Sequence, residues 1–104
     1  MTRSATVPRL FTDQNGDTHF DDVEVPMAAV QYAPPAPAVD LSDPLPASRV
    51  SWFRFPADWS DEAHPSPRRQ LFFVLVGQVE GWTSTGDRRR LGPGGCLLME
   101  DTTG

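Results

Sequence analysis

The run Gln70-Leu71-Phe72-Phe73-Val74-Leu75-Val76-Gly77 decides the fold class. It is rich in β-branched and aromatic types, apolar on both faces after Gln70 and closed by a glycine, which predicts a strand buried on both sides. Downstream, Gln78 to Ser84 with Val79 and Trp82 reads as a second strand, and Thr85-Gly86-Asp87 turns it into Arg88-Arg89-Arg90-Leu91, completing a hairpin. Gly92-Pro93-Gly94-Gly95 is a second tight turn, and Cys96-Leu97-Leu98-Met99 a further strand ahead of the polar Glu100-Asp101-Thr102-Thr103-Gly104. Upstream, residues 57–69 are polar and turn-like, with Pro65 and Pro67. Before them Val50, Trp52 and Arg54 alternate with Ser51, Phe53 and Phe55 in a strand that starts at Arg49 and is stopped by Pro56.

Residues 1–47 differ in character. They carry little periodicity: a turn cluster at Asp13-Gln14-Asn15-Gly16-Asp17, a short alternating piece at Val23-Glu24-Val25, and Pro34-Pro35-Ala36-Pro37, which favours polyproline II and lacks the amide donors of a sheet. The expected organisation is therefore an N-terminal arm or edge strand over 1–47 and a β core over 48–104. No amphipathic helix longer than about two turns is supported. Short strands spaced by Gly and Pro turns imply an all-β antiparallel sandwich or barrel, with an unpaired edge expected at Cys96 to Met99.

The composition excludes several function classes. A chain of 104 residues has room for one domain. Nine arginines and no lysine face fourteen acidic residues, a net charge of −5, so neither a nucleic-acid backbone nor an anionic membrane surface is an expected partner. Eleven prolines and eight glycines, above the roughly 12% average share, indicate many turns. One cysteine forbids an internal disulfide. With no N-terminal apolar segment and no apolar run of membrane-spanning length, a cytoplasmic protein is the expectation.

From residue 48 onward the chain resembles the cupins. Their first motif runs Gly, five residues, His-x-His, three or four residues, Glu, six residues, Gly; Asp58, His64, Ser66, Gln70 and Gly77 stand at those spacings. The first His is kept, Ser66 replaces the second, Gln70 the Glu and Asp58 the leading Gly. The second motif, Gly, five residues, Pro-x-Gly, two residues, His, is approached by Gly95 and Thr102-Thr103-Gly104, with six residues between and Thr for Pro. Its His would lie three places beyond Gly104. The resemblance implies a double-stranded β-helix, or jelly-roll barrel, incomplete at the C-terminus, with its site in the barrel mouth and a homodimer as the usual assembly.

On that frame, Gln70 pointing inward sends Phe72, Val74 and Val76 inward with it and turns Leu71, Phe73 and Leu75 the other way. The ligand-binding set is then His64, Ser66, Arg68, Gln70 and Phe72, with Trp52 and Trp59 as apolar walls; one Arg offers a bidentate grip on a carboxylate. Arg68 and Arg69 are adjacent, so they face opposite ways and one of them belongs to the surface. A metal is disfavoured: a seryl hydroxyl does not ionise at neutral pH, and a neutral amide oxygen lacks the charge that helps hold a hard cation. No catalytic residue and no cofactor is assigned. The expected function is a non-catalytic or weakly active small-molecule-binding protein. The enzymatic alternative is a cupin isomerase or dioxygenase using Fe, Mn, Ni or Zn on His64 and Gln70; a further alternative is an assembly module.

Other residues have plainer roles. His19 among acids reads as a surface histidine, Arg88-Arg89-Arg90 as alternating faces of a solvated strand, and Cys96 as a small buried hydrophobe. Glu100 and Asp101, neighbours at a strand end, face opposite sides and form no acid–base pair.

Overall fold

The computed structural model describes residues 3–59 and 66–102. Among them the structure is all-β, with seven strands and no helix: β1 (Arg3–Thr12), β2 (Thr18–Val30), β3 (Val39–Ser42), β4 (Gln70–Phe73), β5 (Val79–Trp82), β6 (Arg88–Leu91) and β7 (Cys96–Glu100). No helix among the described residues is long and apolar enough to cross a membrane. Contacts divide these residues into two compact units, one holding residues 4–25 and 66–102, the other residue 3 and residues 26–59.

In the larger unit the strands run β2, β1, β7, β4 across the sheet. β7 lies parallel to β1, with Leu10 beside Met99, and antiparallel to β4, with Leu71 beside Leu98 and Phe73 beside Cys96. The expected free edge at Cys96 to Met99 is therefore corrected: β7 is an inner strand and β4 the outermost. The sequence reading missed the partner because β1 reaches β7 in parallel from the far end of the chain, and a parallel pair leaves no hairpin signal in sequence.

The β1–β2 and β5–β6 hairpins close with the same chemistry. In Asp13 to Asp17 and in Thr83 to Asp87, the first residue's N–H donates to the fifth carbonyl (2.8 and 2.9 Å), and the glycine N–H donates to the first carbonyl (3.1 and 3.0 Å). The first side chain, Asp13 Oδ1 or Thr83 Oγ1, accepts the fifth residue's N–H at 3.1 Å in both turns. Gly16 and Gly86 sit at φ 86° and 90°, where a Cβ would be strained. The two turns are also tied together: the N–H groups of Thr18 and Ser84 each donate to the other's hydroxyl at 2.9 Å, and Thr85 Oγ1 donates to the Thr18 carbonyl. A side chain at Gly81 on β5 would come into van der Waals contact with the Phe20 ring of β2, so the open side of that glycine faces β2.

The Gly92-Pro93-Gly94-Gly95 turn has Pro in the second place and Gly94 at φ 86° in the third, a type II turn closed by the Gly95 N–H on the Gly92 carbonyl at 2.9 Å. It delivers Gly94 and Gly95 opposite Val74, which exchanges two further backbone bonds with them (2.8 and 2.9 Å). Val74, 4% exposed, is the one apolar side chain buried among the described residues.

β4 corrects the expectation of a seven-residue strand covered on both sides. It ends at Phe73 and its side chains alternate: Gln70 and Phe72 are half-buried, Leu71 and Phe73 exposed. Val76, expected to face inward, is 88% exposed, because the ladder stops at Val74 and Gly77 at φ 78° bends the chain away. The N-terminal stretch is also more ordered in sheet than an arm, with strands of 10 and 13 residues. Its period of two was hidden because an inward position of β2 is occupied by Asp21, an acid that Arg9 neutralises.

In the other unit, the end of β2 pairs antiparallel with β3, Met27 beside Ser42 and Val30 beside Val39. The strand expected over residues 49–55 is not formed. The segment is stopped by prolines on both sides, Pro44, Pro46 and Pro56, and Val50, Trp52 and Phe53 remain largely in solvent, so no buried face rewards an extended ladder. Phe55 instead bridges Phe53 and Trp59, with ring centroids 5.6 and 4.7 Å away.

Candidate functional site

On the half-buried side of β4, periodicity places Gln70 and Phe72 together, and the structure does the same. Gln70 lies opposite Met99, and its Nε2 donates to Met99 Sδ at 3.6 Å. A thioether is a weak acceptor, so the carboxamide is oriented without its hydrogen-bonding capacity being used up. Phe72, two residues on, shares this side and supplies an apolar neighbour, and Val74 closes it.

Ser66 occupies a different position from the one its motif place suggested. It is 4% exposed; its Oγ donates to Asp101 Oδ1 at 2.6 Å and its N–H to the Asp101 carbonyl at 2.9 Å. Asp101 is itself 5% exposed. The pair joins the residues that lead into β4 to the end of β7 and consumes the hydroxyl proton. Arg68 and Arg69 are both exposed, Arg68 in a bend and Arg69 donating through Nε to Glu100 Oε2 at 2.6 Å. His64 lies outside the described residues. Trp52 and Trp59 belong to the smaller unit, Trp52 largely in solvent and Trp59 against the Phe55 ring.

Sequence reasoning did not find Arg9. Its guanidinium takes Asp21 in a two-pronged grip, Nε to Oδ1 at 2.8 Å and Nη2 to Oδ2 at 2.5 Å, reaches Glu100 Oε1 at 3.4 Å, and lies 4.5 Å above the Phe11 ring. With Arg69 on the other oxygen of Glu100, the alternating charges Asp21, Arg9, Glu100 and Arg69 span β2, β1, β7 and the approach to β4. Nothing local in the sequence marks this chain, since Arg9 and Glu100 are 91 positions apart. His19 is partnered as its acidic setting suggests, with Nε2 2.7 Å from Asp13 Oδ2 and its ring 5.5 Å from that of Phe11.

The charges shift one another. The Arg9 guanidinium holds the Asp21 carboxyl below the usual carboxylate range by hydrogen bonding, and Arg69 first, then Arg9, do the same for Glu100. Arg9 is raised in turn, chiefly by its bond to Asp21. Since both carboxyls bind a proton less readily folded than unfolded, their contribution is fully present above the unfolded carboxylate pKa of about 4 and is lost as pH falls through the lower, folded values. The urea midpoint is therefore expected to drop between about pH 5 and pH 3, and to drop less in Arg9→Met. A midpoint that is flat over this range in the unmodified protein would contradict the ion chain.

His64, the first of the candidate ligands, lies outside the described residues. Among the described residues alone, no group of three His, Cys, Asp or Glu side chains is placed to hold an ion, the Ser66 hydroxyl is committed to Asp101, and the Gln70 amide nitrogen faces Met99. No protein-family model, curated protein or solved structure matches the chain.

Proposed function

We propose that the chain is a cupin-like protein that binds a small polar or carboxylated molecule without catalysing a reaction on it, with Gln70 as the polar anchor and Phe72 as the apolar wall. The observation behind this is the alternation of β4, which turns a weakly engaged carboxamide to the same side as Phe72 and Val74. The cupin resemblance gains support from backbone geometry. Asp58, in the place of the motif's leading glycine, has φ 63°, and Gly77, in the place of its closing glycine, has φ 78°. Asp is one of the few residues besides Gly that tolerate this conformation, so the substitution preserves the bend.

Thermal unfolding with acetate, succinate or propionamide as probes tests the assignment. A probe at a hundred times its Kd adds about 2.7 kcal/mol, and a domain of this size gains about 4–8 °C per kcal/mol, so a shift of about 10 °C is expected with at least one of them. Gln70→Leu, which keeps the volume on an inward position, removes the shift. A shift of equal size in Gln70→Leu would overturn the assignment. So would stoichiometric Fe, Mn, Ni or Zn in the purified protein that disappears in His64→Ala, which would favour the metal-dependent enzyme.

A further inference from the structure

A second group of residues, on the opposite side of the β5–β6 hairpin from Phe20, has a composition of its own. The register sets Trp82 across from Arg88 and Glu80 across from Arg90. With a period of two, these four side chains share the outward face, while Val79, Gly81, Arg89 and Leu91 share the other. Exposure follows the same division: Trp82 is 65% exposed and the Arg88 side chain 74%, whereas Arg89 turns inward to Asp22 at 3.1 Å and to the Phe20 ring.

The two outward arginines are not equivalent. Arg90 donates to Glu80 Oε2 through Nη2 at 3.0 Å and Nε at 3.4 Å, so its fork is occupied. Arg88 approaches Glu80 only at 3.7 Å, beyond hydrogen-bond length, and its guanidinium carbon stands 5.8 Å from the centre of the Trp82 ring. Two cations thus share one carboxylate, leaving an excess positive charge beside an indole that the Arg88 guanidinium overhangs and that is still 65% exposed. A planar guanidinium with free donors prefers a carboxylate, and an exposed indole prefers a flat ring. A ligand that satisfies both carries a carboxylate on or next to a flat ring.

We propose that the outward face of the β5–β6 hairpin binds an aromatic carboxylate, with Arg88 gripping the carboxylate and Trp82 stacking on the ring. Glu80 positions the site by holding Arg90 and leaving Arg88 unsaturated. This site is independent of Gln70, which lies on another strand.

Benzoate is the probe, followed by the ¹⁵N–¹H signal of the Trp82 indole, assigned by its loss in Trp82→Phe. Benzoate is expected to move that signal along a saturating curve. Cyclohexanecarboxylate, with the same charge and no aromatic face, should bind several-fold more weakly. Arg88→Ala, an exposed position that leaves the fold intact, should weaken benzoate by about tenfold or more, the value of a charge-assisted bond. Arg88→Lys should weaken it too, because a point charge lacks the fork. Arg54→Ala, at an exposed arginine outside both sites, should leave it unchanged. A non-saturating shift, an equal response to benzoate and cyclohexanecarboxylate, or unaltered binding in Arg88→Ala would overturn the proposal.

Discussion

Arg9→Met is expected to lower the stability of the protein by about 2 kcal/mol and its melting temperature by about 10 °C. Methionine keeps the apolar stem but not the guanidinium, so the loss combines the ion contacts with the cation–π contact to Phe11. The figure lies between two limits. Exposed ion pairs contribute about 0–1 kcal/mol, and stripping one partner from a buried pair costs about 3–5 kcal/mol. The Arg9 side chain is 32% exposed and its partners Asp21 and Glu100 are 39% and 26% exposed, which places the chain between these limits. Two carboxylates also lose their cation at once, and Glu100 then leans on Arg69 alone. If the loss is electrostatic, it shrinks in Asp21→Asn/Glu100→Gln, where Arg9 has no charge left to hold. A melting temperature within a degree or two of the parent would mean that the ion chain does not hold β2, β1 and β7 together.

Ser66→Ala is expected to cost about 2–3 kcal/mol, seen as a lower urea midpoint with an unchanged slope. The mechanism is the orphaning of Asp101: its carboxylate, almost wholly out of water, loses its 2.6 Å donor, and an unsatisfied buried charge costs more than the bond itself contributed. Ser66→Thr keeps the hydroxyl and should recover much of the loss, and Asp101→Asn in the Ser66→Ala background should recover part of it by removing the charge. The same measurement separates two roles for Ser66. A strut between the approach to β4 and the end of β7 shows its effect without any ligand; a ligand contact would show it only with one.

Much of the larger unit could be read from the chain. The β5–β6 hairpin, the type II turn at Gly92 to Gly95 and the strand from Cys96 follow from turn chemistry within a few residues of each other, and local chemistry is what a sequence displays. Glu100 and Asp101, expected to form no acid–base pair, have separate partners, Arg69 and Ser66. What escaped was long-range. The parallel pairing of β1 with β7 joins residues about ninety positions apart, and the charge of Asp21 at an inward position of β2 looked like a broken pattern until Arg9 was seen to neutralise it. The reverse error occurred at residues 49–55, where alternating aromatics suggested a strand but prolines on either side left it without a ladder.

The candidate site divides the same way. Gln70 and Phe72 were placed on one side by periodicity, and the structure keeps them there. The partner of Ser66 could not be inferred, because a motif position specifies spacing along one strand and says nothing of the carboxylate that a second strand brings to it.

The placement of the proposed site rests on β4 being the outer strand, paired with an inner β7, and amide hydrogen exchange resolved by residue tests this strand order most directly. An inner strand bonds to neighbours on both sides, so consecutive amides from Leu97 to Glu100 should all exchange slowly, while those of Gln70 to Phe73 should alternate between slow and fast. Alternating protection along β7, with uniform protection along β4, would contradict the strand order and with it the placement of the ligand site.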